Sequence, residues 1–193
     1  MEATAPPAPE PGSGPVPTRF DWEAAYRDHF KAVWRFISRL GVRPEHVEDV
    51  THEVFLTAFR RLDSYDTSRP LAPWLFGIAF RLAGDFKRLA FIRREVPQEA
   101  EVHEVAATSG PVAERGVMAR EARVMLEEIL ETMDLDQRAV FVMHEFDGLP
   151  VPQIAQVVDI PVATAYSRLR LARQQFNAGV KRLKAKVGHE RNA

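Results

Sequence analysis

Apolar residues recur along most of the chain in steps of three and four, the spacing of a helix with one buried face. From Asp21 to about Leu40 they fall at Trp22, Tyr26, Phe30, Val33, Ile37 and Leu40. Asp21 suits the N-cap and Gly41 the stop. A second helix is predicted from Pro44 to about Leu62 on a stripe of Val47, Val50, Val54, Ala58 and Leu62. Pro44 and Glu45 fit its first turn, where no backbone donor is lost and the helix dipole favours negative charge. Asp63 to Pro73 has the composition of a loop. A third helix starts near Pro73 and buries Leu75, Ile78, Ala79, Leu82, Phe86 and Leu89.

The periodicity then fades. Residues 95–117 hold Pro97, Gly110, Pro111, Gly116 and several glutamates, and read as an acidic flexible linker. Helical spacing resumes with Val124, Leu126, Ile129, Leu130 and Met133. A helix follows from Asp136 through Val140, Phe141, Met143 and His144, with Gly148 as its stop. A short helix from Val151 to about Val158, the turn Asp159-Ile160-Pro161 and a long helix from Val162 to about Lys186 complete the chain. No run alternates with period two, so the expected fold is all-α. Its two small helical domains span 19–94 and 118–187, after a disordered Pro- and Ala-rich tail over 1–18.

Composition narrows the function classes. The 193 residues carry a formal net charge of −1 and no cysteine. Disulfides, thiolate metal sites and cysteine nucleophiles are excluded, which fits a reducing cytosol. No segment approaches the roughly 20 apolar residues that span a bilayer. The N-terminus lacks the order of a signal peptide, so a cytoplasmic protein without membrane insertion is expected. The histidines are scattered, and His52-Glu53 opens like a zinc-protease motif but has Leu56 where the second histidine belongs. Phosphate-loop and nucleophile-elbow motifs are absent. The expectation is a protein that is not an enzyme and takes no cofactor or metal.

Charge is distributed unevenly. From Val162 to the end there are eight lysines or arginines and one acid, Glu190. The stretch Leu149 to Arg173 has the grammar of a helix-turn-helix. Ile154, Val157 and Val158 turn inward, then come a tight turn and a helix burying Val162, Ala165, Leu169 and Ala172. Its other side carries Thr164, Ser167, Arg168, Arg170 and Leu171, flanked by Tyr166 and Arg173. Such a face can enter a DNA major groove, where arginine suits guanine and phosphate. Periodicity and charge alone leave open a solvated basic face.

Leu135-Asp136-Gln137-Arg138-Ala139-Val140-Phe141, His144-Glu145-Phe146-Asp147-Gly148-Leu149, Ile154-Ala155 and the run Thr164 to Arg173 resemble, in order and spacing, region 4 of bacterial RNA polymerase sigma factors. Glu48 to Phe55 and Leu71 to Ala79 resemble region 2. The short linker in place of an intermediate region is similar to the extracytoplasmic-function (ECF) plan of the sigma-70 family. The resemblance implies a promoter-recognition subunit that directs core polymerase and assists DNA opening. It implies −35 contacts through Thr164, Tyr166, Ser167, Arg168, Arg170 and Arg173, and −10 contacts through Asp63, Ser64, Arg69, Arg81, Lys87 and Arg88. Core polymerase would be bound through Asp49, His52, Glu53 and Phe55, with Phe55 as an apolar anchor beside an acidic face. Trp74, by its helical spacing, is expected in the core. The implied partners are the β′ clamp helices and β flap of core RNA polymerase, promoter DNA and an anti-sigma factor. Four positions depart from the family pattern. Tyr166 replaces a usual lysine or arginine and Leu171 a usual arginine, which removes two cations from the DNA side. Arg81 replaces a frequent asparagine and His52 a usual glutamine.

Overall fold

The computed structural model describes residues 20–94 and 113–190. They form seven α-helices and one 3-10 turn, with no strand among them. The helices are α1 (Trp22–Arg39), α2 (Pro44–Arg60), α3 (Leu71–Arg94), α4 (Ala113–Glu131), α5 (Leu135–Glu145), α6 (Val151–Val157) and α7 (Val162–Glu190). The turn, Leu62–Ser64, sits between α2 and α3. The expected tail and residues 95–112 of the expected linker lie outside the described residues. Ala113 already belongs to α4, so helix reaches into the segment that composition assigned to the linker.

Local signals explain most boundaries. The Asp21 carboxylate accepts from Ala24 N at 2.9 Å and caps α1. Asp134 caps α5 by accepting from Gln137 N at 2.7 Å, so the helix starts one residue before the expected Asp136. Helix α3 starts at Leu71, before the expected Pro73; a proline in the first turn forfeits no intrahelical bond. Three apolar residues expected inside are exposed instead: Leu89, Val124 and Val162. Val162 opens α7 and Leu89 lies in the last two turns of α3, where the periodic stripe runs past the neighbour that would cover it, whereas Val124 is mid-helix in α4 and half exposed.

Helices α1, α2 and α3 pack around Val33, Phe36, Ile37, Val54, Leu75 and Ala79, all fully buried. Helices α5, α6 and α7 enclose Val140, Met143, Ile154, Ala165 and Ala172. The two groups share one continuous apolar cluster, with α3 against α6 and α1 against α5. Two glycines make this approach possible. Gly77 on α3 is so close to α6 that a Cβ there would lie 3.2 Å from the carbonyl oxygen of Val157. Gly41 has φ +81°, a left-handed conformation that ends α1, and a Cβ there would lie 2.7 Å from the Arg138 guanidinium.

Polar groups complete the contact. Arg138 is buried at 2% exposure, and its Nε donates to the carbonyl of Arg39 at the C-terminal end of α1. Lys87 Nζ donates to the Leu40 carbonyl at 3.2 Å. The guanidinium of Arg39 lies 4.3 Å from the Phe146 ring centroid. Cations from α3 and α5 thus converge on the negative end of the α1 dipole. Burial lowers the Arg138 pKa to about 10, against the upward pull of Glu131 and Glu127.

Asp147 lies at the same seam, and its Oδ2 has no hydrogen-bond partner among the described residues. Burial raises its pKa from 3.8 to about 6, partly offset by Arg39. An acid with a higher pKa folded than unfolded binds its proton more tightly when folded. Its contribution to stability is therefore full below pH 4, falls as pH rises towards 6, and is flat above. Water still reaches part of the carboxyl, so the loss is about 1–2 kcal/mol. Asp147→Asn is expected to flatten the melting-temperature profile between pH 4 and 6.5 and to raise Tm near neutrality by about 2–4 °C. Parallel profiles for variant and parent would refute this account.

Candidate nucleic-acid interface

Three surfaces collect the residues singled out in the sequence. The first lies on α7. Ala165, Leu169 and Ala172 are buried against α5 and α6, which turns the far side outward. Asp159, at φ +56°, makes the tight turn that aims α7. Tyr166, Ser167, Arg170 and Arg173 are exposed, and Thr164 is half-buried. Arg168 is also half-buried, and its Nη2 lies 2.7 Å from Asp136 Oδ2 on α5. Arg173 Nε lies 2.7 Å from Glu145 Oε1, an exposed pair that a phosphate could displace at little cost.

The second surface surrounds the 3-10 turn and the start of α3. A cavity of about 240 Å³ is lined by Ser64, Tyr65, Asp66, Arg69, Trp74, Gly77 and Arg81 on one wall, and by Gln153, Gln156 and Val157 of α6 on the other. The Tyr65 and Trp74 rings lie 5.0 Å apart and tilted by 36°. Trp74 is half-buried, packing on the core and lining the cavity at once. Asp66 accepts from both the backbone and the hydroxyl of Ser68, which holds its pKa down, and Arg69 sits 3.1 Å away. This local net of bonds braces the loop. Two cations and two aromatic rings around one hollow are the chemistry of a single-strand site.

Of the other residues implied for −10 contact, Asp63 and Arg88 are exposed, and Arg88 Nη2 donates to Asp85 Oδ1 at 2.5 Å. Lys87 points to α1 instead of the cavity, and burial lowers its pKa, with Arg138 adding to the effect. The structure thus brings Ser64, Arg69 and Arg81 together and leaves Asp63, Lys87 and Arg88 outside. Tyr65 and the two α6 glutamines escaped the sequence reading. Tyr65 lies in a non-periodic loop, and the glutamines come from the other helical group.

The third surface is on α2. Asp49, His52 and Glu53 are exposed, with His52 Nε2 3.0 Å from the Tyr26 hydroxyl and Glu53 Oε1 3.8 Å from Arg60 Nη1. Phe55 does not share their face. It is buried among Trp22, Tyr26 and Phe30, with ring centroids 4.8–6.2 Å away. A side chain already buried cannot anchor a partner. The exposed apolar side chains of α2 are Leu56 and Phe59, at 50% and 58% exposure. They sit off the buried stripe, a signal that the sequence carried.

Both helical groups match a known family. The family description "Sigma-70 region 2" matches residues 25–90, and "Sigma-70, region 4" matches residues 123–176. The chain is 26% identical to the RNA polymerase sigma factor NccH of Alcaligenes xylosoxydans xylosoxydans over 151 residues, covering 78% of this chain and 81% of that one. It is 30% identical to the ECF RNA polymerase sigma-E factor of Escherichia coli K12 over 145 residues, 71% of this chain and 75% of that one. Its fold is similar to that of the sigma factor RpoE of Bartonella quintana, solved in complex with the anti-sigma factor NepR. The TM-score is 0.60 and the identity 20%, over 83% of this chain and 97% of that one.

Proposed function

The chain belongs to the sigma-70 family, as an RNA polymerase sigma factor of the ECF type that directs core polymerase to promoters, and from that premise we propose how its residues divide the work. Helix α7 reads the −35 duplex through Tyr166, Ser167, Arg170 and Arg173, with Thr164 and Arg168 supporting it. The cavity at the start of α3 takes an unstacked base of the −10 element against Tyr65 and Trp74, while Ser64, Arg69 and Arg81 hold the strand. The exposed face of α2, with Asp49, His52, Glu53, Leu56 and Phe59, docks on the clamp helices of core polymerase. The carrying observation is the aromatic pair beside two arginines, on the same chain as a basic helix-turn-helix.

Strand opening follows from binding. Bases and phosphates gain these contacts only once melted, so the open state is selected and no covalent step is required. The protein is a binding subunit rather than an enzyme and works in the cytoplasm. No helix among the described residues is long and apolar enough to cross a membrane. The likeness to a sigma factor solved with an anti-sigma factor supports a partner of that kind here.

The contact between the two helical groups belongs to the resting protein. The two promoter elements lie roughly 25 base pairs apart, about 85 Å at about 3.4 Å per pair. Helix α7 packs on α6, and α6 forms one wall of the α3 cavity, so both elements are reached only after the groups part. Transcription reconstituted from bare core polymerase and this protein on a genomic library is expected to yield defined start sites with a common pair of elements. Core polymerase that gains no promoter-specific initiation would overturn the assignment.

A further inference from the structure

The first turns of α7 are poor in available cations. Asp136 holds Arg168 at 2.7 Å in a half-buried pair, so its guanidinium is directed at α5. Arg173, two residues beyond Leu171, is engaged by Glu145 at 2.7 Å. Within the first turns, where a helix-turn-helix meets base edges, the outward side chains are Val162, Ala163, Tyr166, Ser167, Arg170 and Leu171. Tyr166 is 55% exposed and Leu171 38%. At 100° per residue these two are about 140° apart, with Ser167 and Arg170 between them. Two large apolar groups therefore flank a centre of one cation and one hydroxyl.

A leucine side chain makes no hydrogen bond, so in a major groove its favourable neighbour is the one apolar group that base pairs present there, the thymine 5-methyl. We infer that Leu171, with Tyr166 on the opposite flank, makes α7 a reader of thymine methyl groups, and that Arg170 is its base-reading cation. This rests on the reading of α7 as the −35 helix. It predicts a −35 element with thymines on either side of a guanine, in place of a run of guanines read by several cations.

Deoxyuridine isolates the methyl, because it differs from thymidine by that group alone. Full-length protein bound to core polymerase is titrated with its own promoter, and each −35 thymine is replaced in turn by deoxyuridine. At one or two positions binding is expected to weaken about three- to fivefold, the worth of one buried methyl. Leu171→Ala should bind the parent promoter as weakly and lose the deoxyuridine effect at its position. Leu171→Arg should shift the preference there from thymine to guanine. Leu171 is exposed, and an unchanged Tm shows that the variants fold. Sensitivity that persists in Leu171→Ala at every position, or no deoxyuridine effect anywhere, sinks the methyl reading. Arg170→Ala and a scrambled −35 element tell the two levels apart. If both leave binding unchanged, the −35 assignment of α7 fails with it; if both weaken binding while deoxyuridine does not, only the methyl inference falls.

Discussion

A G77C/V157C variant, oxidised, is expected to lose promoter opening by at least about 100-fold and to regain it on reduction. The chain has no other cysteine, so the pair would hold its only thiols. A Cβ at position 77 lies 3.5 Å from Val157 Cγ1, close to where the second sulfur would sit, so the bond should form once the helices give by a few tenths of an ångström to relieve the 3.2 Å approach to the Val157 carbonyl oxygen. The crosslink fastens α6 over the cavity that holds Tyr65, Trp74 and Arg81. With α6 in place, α7 cannot reach a duplex element about 85 Å from the melted strand. One promoter element is then lost, and specific contacts are typically worth about 10³-fold or more over non-specific binding. Core binding through α2 should survive, because α6 packs chiefly on α3, α5 and α7. Oxidised protein that opens promoters at the reduced rate would show that the closed arrangement is compatible with initiation, and the account of the resting state would fail.

The second large effect is expected on α2. Leu56→Ala and Phe59→Ala should each weaken core polymerase binding by about 2 kcal/mol or more, roughly 30-fold, as anchors at the centre of an interface do. Both side chains are at least half exposed, so little packing is lost in the free protein. Phe59 touches Trp22 edge-on at 5.5 Å, and a small drop in Tm is expected for that variant. Phe55→Ala should behave differently. Removing a ring packed against Trp22, Tyr26 and Phe30 costs about 3–5 kcal/mol of folding stability, and any loss of polymerase binding would follow from unfolding. Thermal melts and core titration on the three variants separate these outcomes. Unchanged core affinity in both Leu56→Ala and Phe59→Ala would move the polymerase site off α2.

The sequence by itself determined the helices, the cap of α1 and the family. Those features are local: a cap needs a carboxylate three residues from an amide, as Asp21 has for Ala24, and a buried face needs only the right spacing. The motif order from Glu48 to Phe55 and from Leu135 to Arg173 was legible for the same reason. Tertiary structure alone decided which apolar side chains of α2 remain free, because Phe55 is covered by rings of α1 some thirty residues earlier in the chain. It alone paired Arg168 with Asp136 and turned Lys87 towards α1. It alone set α6 as a wall of the α3 cavity, with Arg138 buried at the end of a helix 99 positions away. Periodicity reports that a side chain points inward or outward from its own helix; what it meets there depends on groups that only folding brings near.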